Sequence, residues 1–226
     1  MKVLIVKLSS LGDVVHAMAA VQDIRRALPG AQIDWVVERS FAALVRRCAG
    51  VRRVIGCELR RWRSAPFSAA TRQGWRAFRA ELQSERYDAV IDLQGLTKSA
   101  LIAWLARLTA QGRRFGLAGA TEGSSFEAPA RWVADVAIEL PAHSHAVERS
   151  RQLCARALGY ELAQPLSFGL QAAAQDRQPG TRQTAARVAF VHGSSRADKQ
   201  WPLSSWQDLG RRLNQQGYTV SLPQAS

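Results

Sequence analysis

The sequence predicts an α/β protein: a doubly wound parallel sheet followed by the opening of a second, similar domain. Three observations carry this reading. Short apolar runs that read as buried strands, KVLIVK (2–7), QIDWVV (32–37) and YDAVIDL (87–93), recur through the first half of the chain. Helical patterns separate them, which makes β-α-β units with parallel strands and right-handed crossovers. The strand, helix, strand order returns after residue 186.

Residues 2–7 form the first buried strand, and the loop LSSLG leaves it. A helix starts at Asp13, with Val14, Ala17, Met18, Val21, Ile24 and Leu28 on one face, and Pro29-Gly30 stops it. Strands over 32–37 and 51–57 come next. A helix over 68–84 then sets Trp75, Phe78 and Leu82 on one face. The strand 87–93 ends at Gln94-Gly95, and a strongly apolar helix covers 97–108. RRFGL (113–117) is a strand end, and a helix over 145–158 closes on Gly159. These elements make an N-terminal domain, residues 1–160.

Residues 161–186 are rich in Gln, Ala, Pro and Gly and show little periodicity, so they are expected to link two domains. In 187–226 the pattern is a strand (188–192), a loop, a helix (204–216) and a strand (218–223). Two strands and one helix cannot bury their apolar faces alone. Either they pack on the first domain or they open a domain whose remainder is absent, and the second is expected.

Composition sets limits. The 226 residues carry 31 Lys+Arg against 18 Asp+Glu, a net charge of +13, and 47% are hydrophobic, which excludes wholesale disorder. No apolar run reaches the roughly 18 residues that a bilayer span needs. The start, with four apolar residues before Lys7, is not a signal peptide, so a cytoplasmic protein is expected. Three scattered cysteines and four histidines without HExxH spacing give no metal site and no disulfide framework. The basic excess is almost all arginine, the lysines being Lys2, Lys7, Lys98 and Lys199. Such a charge implies a polyanionic partner: nucleic acid, an anionic membrane face or a phosphorylated substrate.

Four segments carry candidate chemistry. Lys7-Leu8-Ser9-Ser10-Leu11-Gly12-Asp13 lies where ligands bind in doubly wound folds, beyond the carboxyl end of a strand. It is neither GxGxxG nor a Walker loop, which disfavours nicotinamide and P-loop chemistry. Asp13 before a helix reads first as an N-cap, and equally as a carboxylate able to accept a hydroxyl proton. Arg46, Arg47, Arg52, Arg53, Arg60, Arg61 and Arg63 form a run that reads as a solvated face or as a phosphate-binding surface. Asp92–Ser99 feeds a strand through a glycine turn into a helix, with Lys98 in a first turn that disfavours cations, so an anion or carboxylate is expected nearby. His192–Pro202 offers Ser hydroxyls, backbone N–H groups and Lys199 in one loop, suited to a diphosphate or simply polar surface.

Together these segments resemble the lipopolysaccharide heptosyltransferases, glycosyltransferases of family nine with the two-domain GT-B fold. KLSSLGDVVHA, RRWRSAPF (60–67), YDAVIDLQGLTKSA (87–100), HAVERSRQL (145–153) and SSRADKQWP (194–202) match in order over nearly the whole chain. The opening loop fits the branch that adds the first heptose better than the branch that adds the second. The resemblance implies inverting transfer of heptose from ADP-L-glycero-D-manno-heptose to the Kdo of Kdo2-lipid A, without metal or other cofactor. It makes Asp13 the general base and puts Ser194, Ser195 and Lys199 on the donor diphosphate. Arg60, Arg61 and Arg63 match the segment that holds acceptor phosphates, and Lys7, Ser10, Gln94 and Lys98 are read as further acceptor contacts. Position 64 is Ser where some relatives carry Lys, which weakens one contact.

The implied partners are the acceptor, the donor and the anionic face of the inner membrane, met peripherally from the cytoplasm; nucleic acid is not expected. Family members continue for about another hundred residues, a second domain's worth, that carry an Asp-Thr-Gly-rich donor motif. Most transferase activity is therefore expected to be lost. The rivals are a basic α/β nucleic-acid-binding module and a fragment that binds acceptor without catalysis.

Overall fold

The computed structural model describes residues 1–122, 124–162, 165–172, 186–193 and 197–222. The chain divides into two compact units, Met1–Ala173 and Ala174–Ser226, and the division falls inside the stretch 161–186. Residues 165–172 of that stretch belong to the first unit. There Ala49 N donates to Gly169 O (2.8 Å), Gln171 N donates to Arg47 O (2.9 Å), and Leu170 bridges to Cys48.

The first unit runs β1 (Lys2–Val6), α1 (Leu11–Ala27), β2 (Gln32–Glu38), α2 (Ala42–Val45), β3 (Val51–Cys57), α3 (Leu59–Ser64) and α4 (Ala69–Leu82). It continues with β4 (Arg86–Asp92), α5 (Thr97–Leu105), β5 (Arg107–Leu117), α6 (Ala128–Val133), β6 (Val136–Ile138) and α7 (Ala146–Leu158). Six strands form one sheet in the order β3-β2-β1-β4-β5-β6, and every pairing is parallel. The chain winds outward from β1 to β3, returns, and winds outward again from β4. That reversal between β1 and β4 is the topological switch point, where open α/β sheets bind ligands.

Residues of β1 alternate between two buried faces, as a central strand requires. Val3 and Ile5 join the layer under α1 and α7, with Trp35, Val14 and Leu153. Leu4 and Val6 join the opposite layer with Trp62, Phe78 and Ile102. Trp62 meets Trp75 edge-on at 5.4 Å and Phe78 at 5.4 Å, which fastens α3 to α4.

Several elements differ from their sequence expectation. The helix expected to start at Asp13 starts at Leu11, with Ser10 as its N-cap. The helix expected over 97–108 ends at Leu105, because the Arg114 side chain donates to the carbonyls of Ala103, Trp104 and Ala106 and satisfies the last turn. β5 then begins at Arg107 and bulges against β4, its partner shifting from Leu108 at Tyr87 to Arg113 at Ala89. Gly112 permits this: a Cβ there would lie 2.4 Å from Tyr87 O. The short α3, α6 and β6 were not expected.

The arginine run is split between opposite ends of the sheet. Arg52, near the start of β3, grips buried Asp34 through Nε (2.9 Å) and Nη2 (2.8 Å), and Tyr87 also donates to Asp34. Arg53 lies 3.7 Å from Asp34. These two cations are occupied far from the switch point, whereas Arg60, Arg61 and Arg63 follow the far end of the same strand on α3.

The second unit contains β7 (Arg187–Ala189), α8 (Leu203–Gln215) and β8 (Thr219–Ser221), with β7 and β8 parallel. Phe190 packs on Trp206 at 4.9 Å.

Candidate active site

Two loops leave the strands that flank the switch point. The first continues β1: Lys7 N donates to Val36 O (3.3 Å), and Trp35 Nε1 donates to Lys7 O (3.0 Å). The second follows β4. Its Gln94 Oε1 accepts from Leu8 N (3.1 Å) and Ser9 N (3.2 Å), so one side chain ties the loops together. Gly95 turns the second loop at φ +74°, a conformation that favours glycine.

Asp92 is the buried post beneath this loop. It accepts from Gln94 N (2.8 Å), Gly95 N (3.1 Å) and Ser99 Oγ (2.9 Å). Burial pushes its carboxyl up to about 6 against those three donors and Lys7.

Asp13 occupies the third position of α1, not the N-cap. The Ser10 N–H (3.0 Å) and the Ser10 hydroxyl (2.9 Å) both donate to its Oδ2. Oδ1 has no hydrogen-bond donor among the described residues. Partial burial raises the carboxyl's pKa, but the Ser10 N–H, Lys7, the Ser10 hydroxyl and His16 outweigh it and hold it below the ordinary value. Asp13 is thus ionised at neutral pH and half-exposed.

Asp13 lines a pocket of about 70 Å³ with Lys7, Gln94, Ser124, Ser125 and Arg149. Lys7 is buried, and Nζ donates to Leu93 O (3.1 Å). Burial lowers its pKa, against the pull of Asp13. Arg149, on α7, is also buried and donates to Thr121 Oγ1 (3.2 Å) and Glu122 O (3.3 Å). Sequence reading missed Arg149, although it lies inside HAVERSRQL. Arg151 beside it falls on the apolar stripe of Val147 and Cys154, but its partner is Asp23 on α1, so it gives no pointer to position 149.

A second, larger cleft of about 570 Å³ contains Ser9, Glu38, Arg60, Trp62, Arg63 and Lys98. Lys98 Nζ reaches Ser9 Oγ at 3.4 Å, which joins this cleft to the first loop. Arg61 does not line it and turns to Glu58 at 3.4 Å. Ser10 is exposed at the helix start. Lys199 is exposed on a short helical turn of the second unit. Ser194 and Ser195 lie outside the described residues.

The fold and site define an α/β protein with a half-exposed carboxylate, Asp13, at the sheet's switch point and a cleft lined by Arg60, Arg63 and Lys98 beside it. Comparison with known proteins narrows this. Residues 75–226 match the sequence profile of glycosyltransferase family 9 (heptosyltransferase). Lipopolysaccharide heptosyltransferase 1 of Escherichia coli strain K12 is 42% identical over 225 residues, which cover 99% of this chain and 68% of that protein. The solved structure of the E. coli heptosyltransferase WaaC with ADP superposes with a TM-score of 0.85 at 39% identity, covering 100% of this chain and 68% of that one. WaaC with ADP-2-deoxy-2-fluoro heptose gives 0.84 at 38% identity, covering 100% and 70%. The chain belongs to glycosyltransferase family 9 and spans about two thirds of the length of these relatives.

Proposed function

We propose that this glycosyltransferase moves heptose from ADP-heptose to the Kdo of Kdo2-lipid A, with inversion at the anomeric carbon. The support is its 42% identity to a lipopolysaccharide heptosyltransferase 1 and its likeness to WaaC bound to an ADP-heptose analogue. The observation that carries the reading is Asp13, an ionised, half-exposed carboxylate in a pocket at the switch point.

In this reading Asp13 takes the proton of the acceptor hydroxyl while that oxygen bonds to the anomeric carbon. The bond to ADP breaks, and its electron pair leaves with the diphosphate. Ser194, Ser195 and Lys199 hold the diphosphate, and Lys199 offsets its growing charge. Arg60, Arg63 and Lys98 meet acceptor phosphates in the larger cleft, and Arg61 joins them on leaving Glu58. Gln94 and Ser10 fix the loop that presents Asp13.

The reading includes peripheral contact with the cytoplasmic face of an anionic membrane. No helix among the described residues is long and apolar enough to cross a bilayer. Phe67, between α3 and α4, is 89% exposed. Arg72, Arg76 and Arg79 follow it along the exposed side of α4. An exposed aromatic among cations suits the interface of an anionic bilayer.

The test of transfer is ADP release from ADP-heptose with Kdo2-lipid A present. Asp13→Asn is expected to slow it by about 10²–10⁴-fold, the usual worth of a general base. Equal rates would remove Asp13 from the mechanism, and release that does not depend on the Kdo-bearing acceptor would overturn the reading.

A further inference from the structure

We propose that the outward face of α4, α5 and α6 lies flat against an anionic bilayer, with Trp104 and Trp132 seated at the lipid–water boundary. The proposal rests on the peripheral membrane contact read above and adds what that reading leaves open: which side of the sheet meets the lipid, and through which anchors besides Phe67.

Apolar surface is left uncovered on one side of the sheet only. Helices α3, α4, α5 and α6 pack over Leu4 and Val6, whereas α1, α2 and α7 cover the other side. Among the described residues of α1, α2 and α7, the one large apolar side chain left exposed is Leu11, at the very start of α1. On the first side Leu101 is 46% exposed, Trp104 60% and Trp132 79%. Leu101 and Trp104 stand one turn apart on α5, and α6, which carries Trp132, packs beside that helix. Tryptophan is highly buried on average, and open apolar groups gathered in this way mark a surface that meets a partner. The backbone under Trp104 is fixed, because Arg114 Nη2 donates to its carbonyl (3.1 Å). The exposed ring is thus a rigid anchor and not a frayed helix end.

Charge selects the partner. Arg72, Arg76 and Arg79 on α4, Lys98 on α5, Arg107 just past it and Arg131 on α6 are all exposed. Among the acids of these helices and their caps, Glu127 receives the N–H of Thr97 (2.8 Å) and Asp135 the N–H of Arg114 (2.7 Å), which leaves Glu81. The surplus of cations calls for an anionic surface. Indoles favour a bilayer, since an apolar ring with one N–H settles at headgroup level. The acceptor proposed above is itself a lipid, so its acyl chains bring such a surface next to the cleft. Position sets the orientation. Trp104 and Trp132 are the penultimate residues of helices that run back to the amino edge of the sheet, and Phe67 precedes α4 at the carboxyl edge. Contact through all three lays this side down along its length.

The experiment is sedimentation of the full chain with vesicles of phosphatidylcholine and phosphatidylglycerol, brominated on their acyl chains so that an indole entering the lipid is quenched. The wild type is expected to bind and to be quenched, and to bind phosphatidylcholine alone about tenfold more weakly or worse. Trp104→Ser with Trp132→Ser is expected to weaken binding by about tenfold or more and to remove the greater part of the quenching at saturating lipid. Phe67→Ser keeps both indoles and is expected to keep the quenching at saturating lipid. Circular dichroism checks the fold of the double variant; should it fail, the two single variants carry the same comparison. A folded double variant that binds and is quenched like the wild type overturns this surface, and a loss of binding in Phe67→Ser alone then leaves the membrane contact standing. Equal binding to neutral vesicles overturns the proposal, because the cations then select nothing. It is also overturned if the wild type dimerises without lipid and the double variant does not, since a second copy then covers the indoles. A wild type that binds no vesicle overturns the membrane reading and this surface together.

Discussion

Asp23 of α1 and Arg151 of α7 form a two-point ion pair in the core, with Nε–Oδ2 at 2.6 Å and Nη2–Oδ1 at 3.2 Å, both residues 3% exposed. The pair locks together the helix that carries Asp13 and the helix that carries Arg149. The pocket at the switch point therefore depends on a contact inside the protein, not at its surface.

Removing Asp23 leaves the buried Arg151 with the partly exposed Glu148, at 3.3 Å, as its counter-charge among the described residues. Asp23→Asn is expected to cost about 3–5 kcal/mol of unfolding free energy in urea titration. Replacing both, Asp23→Leu with Arg151→Met, is expected to cost clearly less, because no buried charge remains. A double variant as unstable as the single one would show that packing, not charge, is at stake.

Asp92 gives a pH dependence of unusual sign. Its pKa is raised in the folded chain to about 6 from the ordinary 3.8, so the folded state binds a proton more readily than the unfolded state. Between those values, folding gains stability as pH falls. At pH 5, one unit below the folded pKa, the gain from this group is about 1 kcal/mol relative to neutral pH. Asp92→Asn keeps an acceptor for the N–H groups of Gln94 and Gly95 and removes the titration. Denaturant unfolding at pH 7 and pH 5 is expected to show the wild type gaining that amount relative to the variant. Parallel changes in both proteins would reject it.

Sheet and loops were legible because their signals are local. Apolar runs mark β1, β2 and β4, with Pro29-Gly30 before β2 and Gly95 after β4, and the loops that carry Asp13 and Gln94 follow the carboxyl ends of β1 and β4, which are neighbours in the sheet. What was not legible depends on contacts distant in sequence. The end of α5 is set by the Arg114 side chain on another strand, and the role of Arg52 by Asp34 across the sheet. Arg149 belongs to this second kind. No spacing ties position 149 to positions 7 and 13, and only the packing of α7 on α1 brings them together. Local pattern likewise set Asp13 at the N-cap, while the folded helix begins two residues earlier and makes it the carboxylate that answers Ser10.

Phe67 tests the proposed membrane contact separately from catalysis. Burying a phenylalanine side chain in the interface contributes about 1.5–3 kcal/mol. Phe67→Ser is therefore expected to weaken sedimentation with phosphatidylglycerol vesicles by about tenfold or more. Its fold is expected to be untouched, since the side chain is exposed. Raising salt is expected to weaken binding further by screening Arg72, Arg76 and Arg79. Vesicle binding that is unchanged by the substitution would place the contact on another face.

Gln94 separates a loop-holding role from direct contact with the acceptor. Its Oε1 accepts two backbone N–H groups, those of Leu8 and Ser9, so its carbonyl end is committed to the loop. Gln94→Ala leaves both donors without that acceptor, at a cost of about 1–3 kcal/mol for each one that stays buried. Gln94→Glu restores an oxygen acceptor for both and brings a negative charge to the pocket that holds Lys7 and Arg149. If Gln94 only holds the loop, Gln94→Glu is expected to recover the stability lost in Gln94→Ala, read by urea unfolding. Acceptor binding separates the roles: the added carboxylate competes for the same cations, so Gln94→Glu is expected to bind the acceptor several-fold more weakly than the wild type despite its restored fold. A glutamate variant that regains both stability and full affinity would mean that no anion enters the pocket beside Lys7.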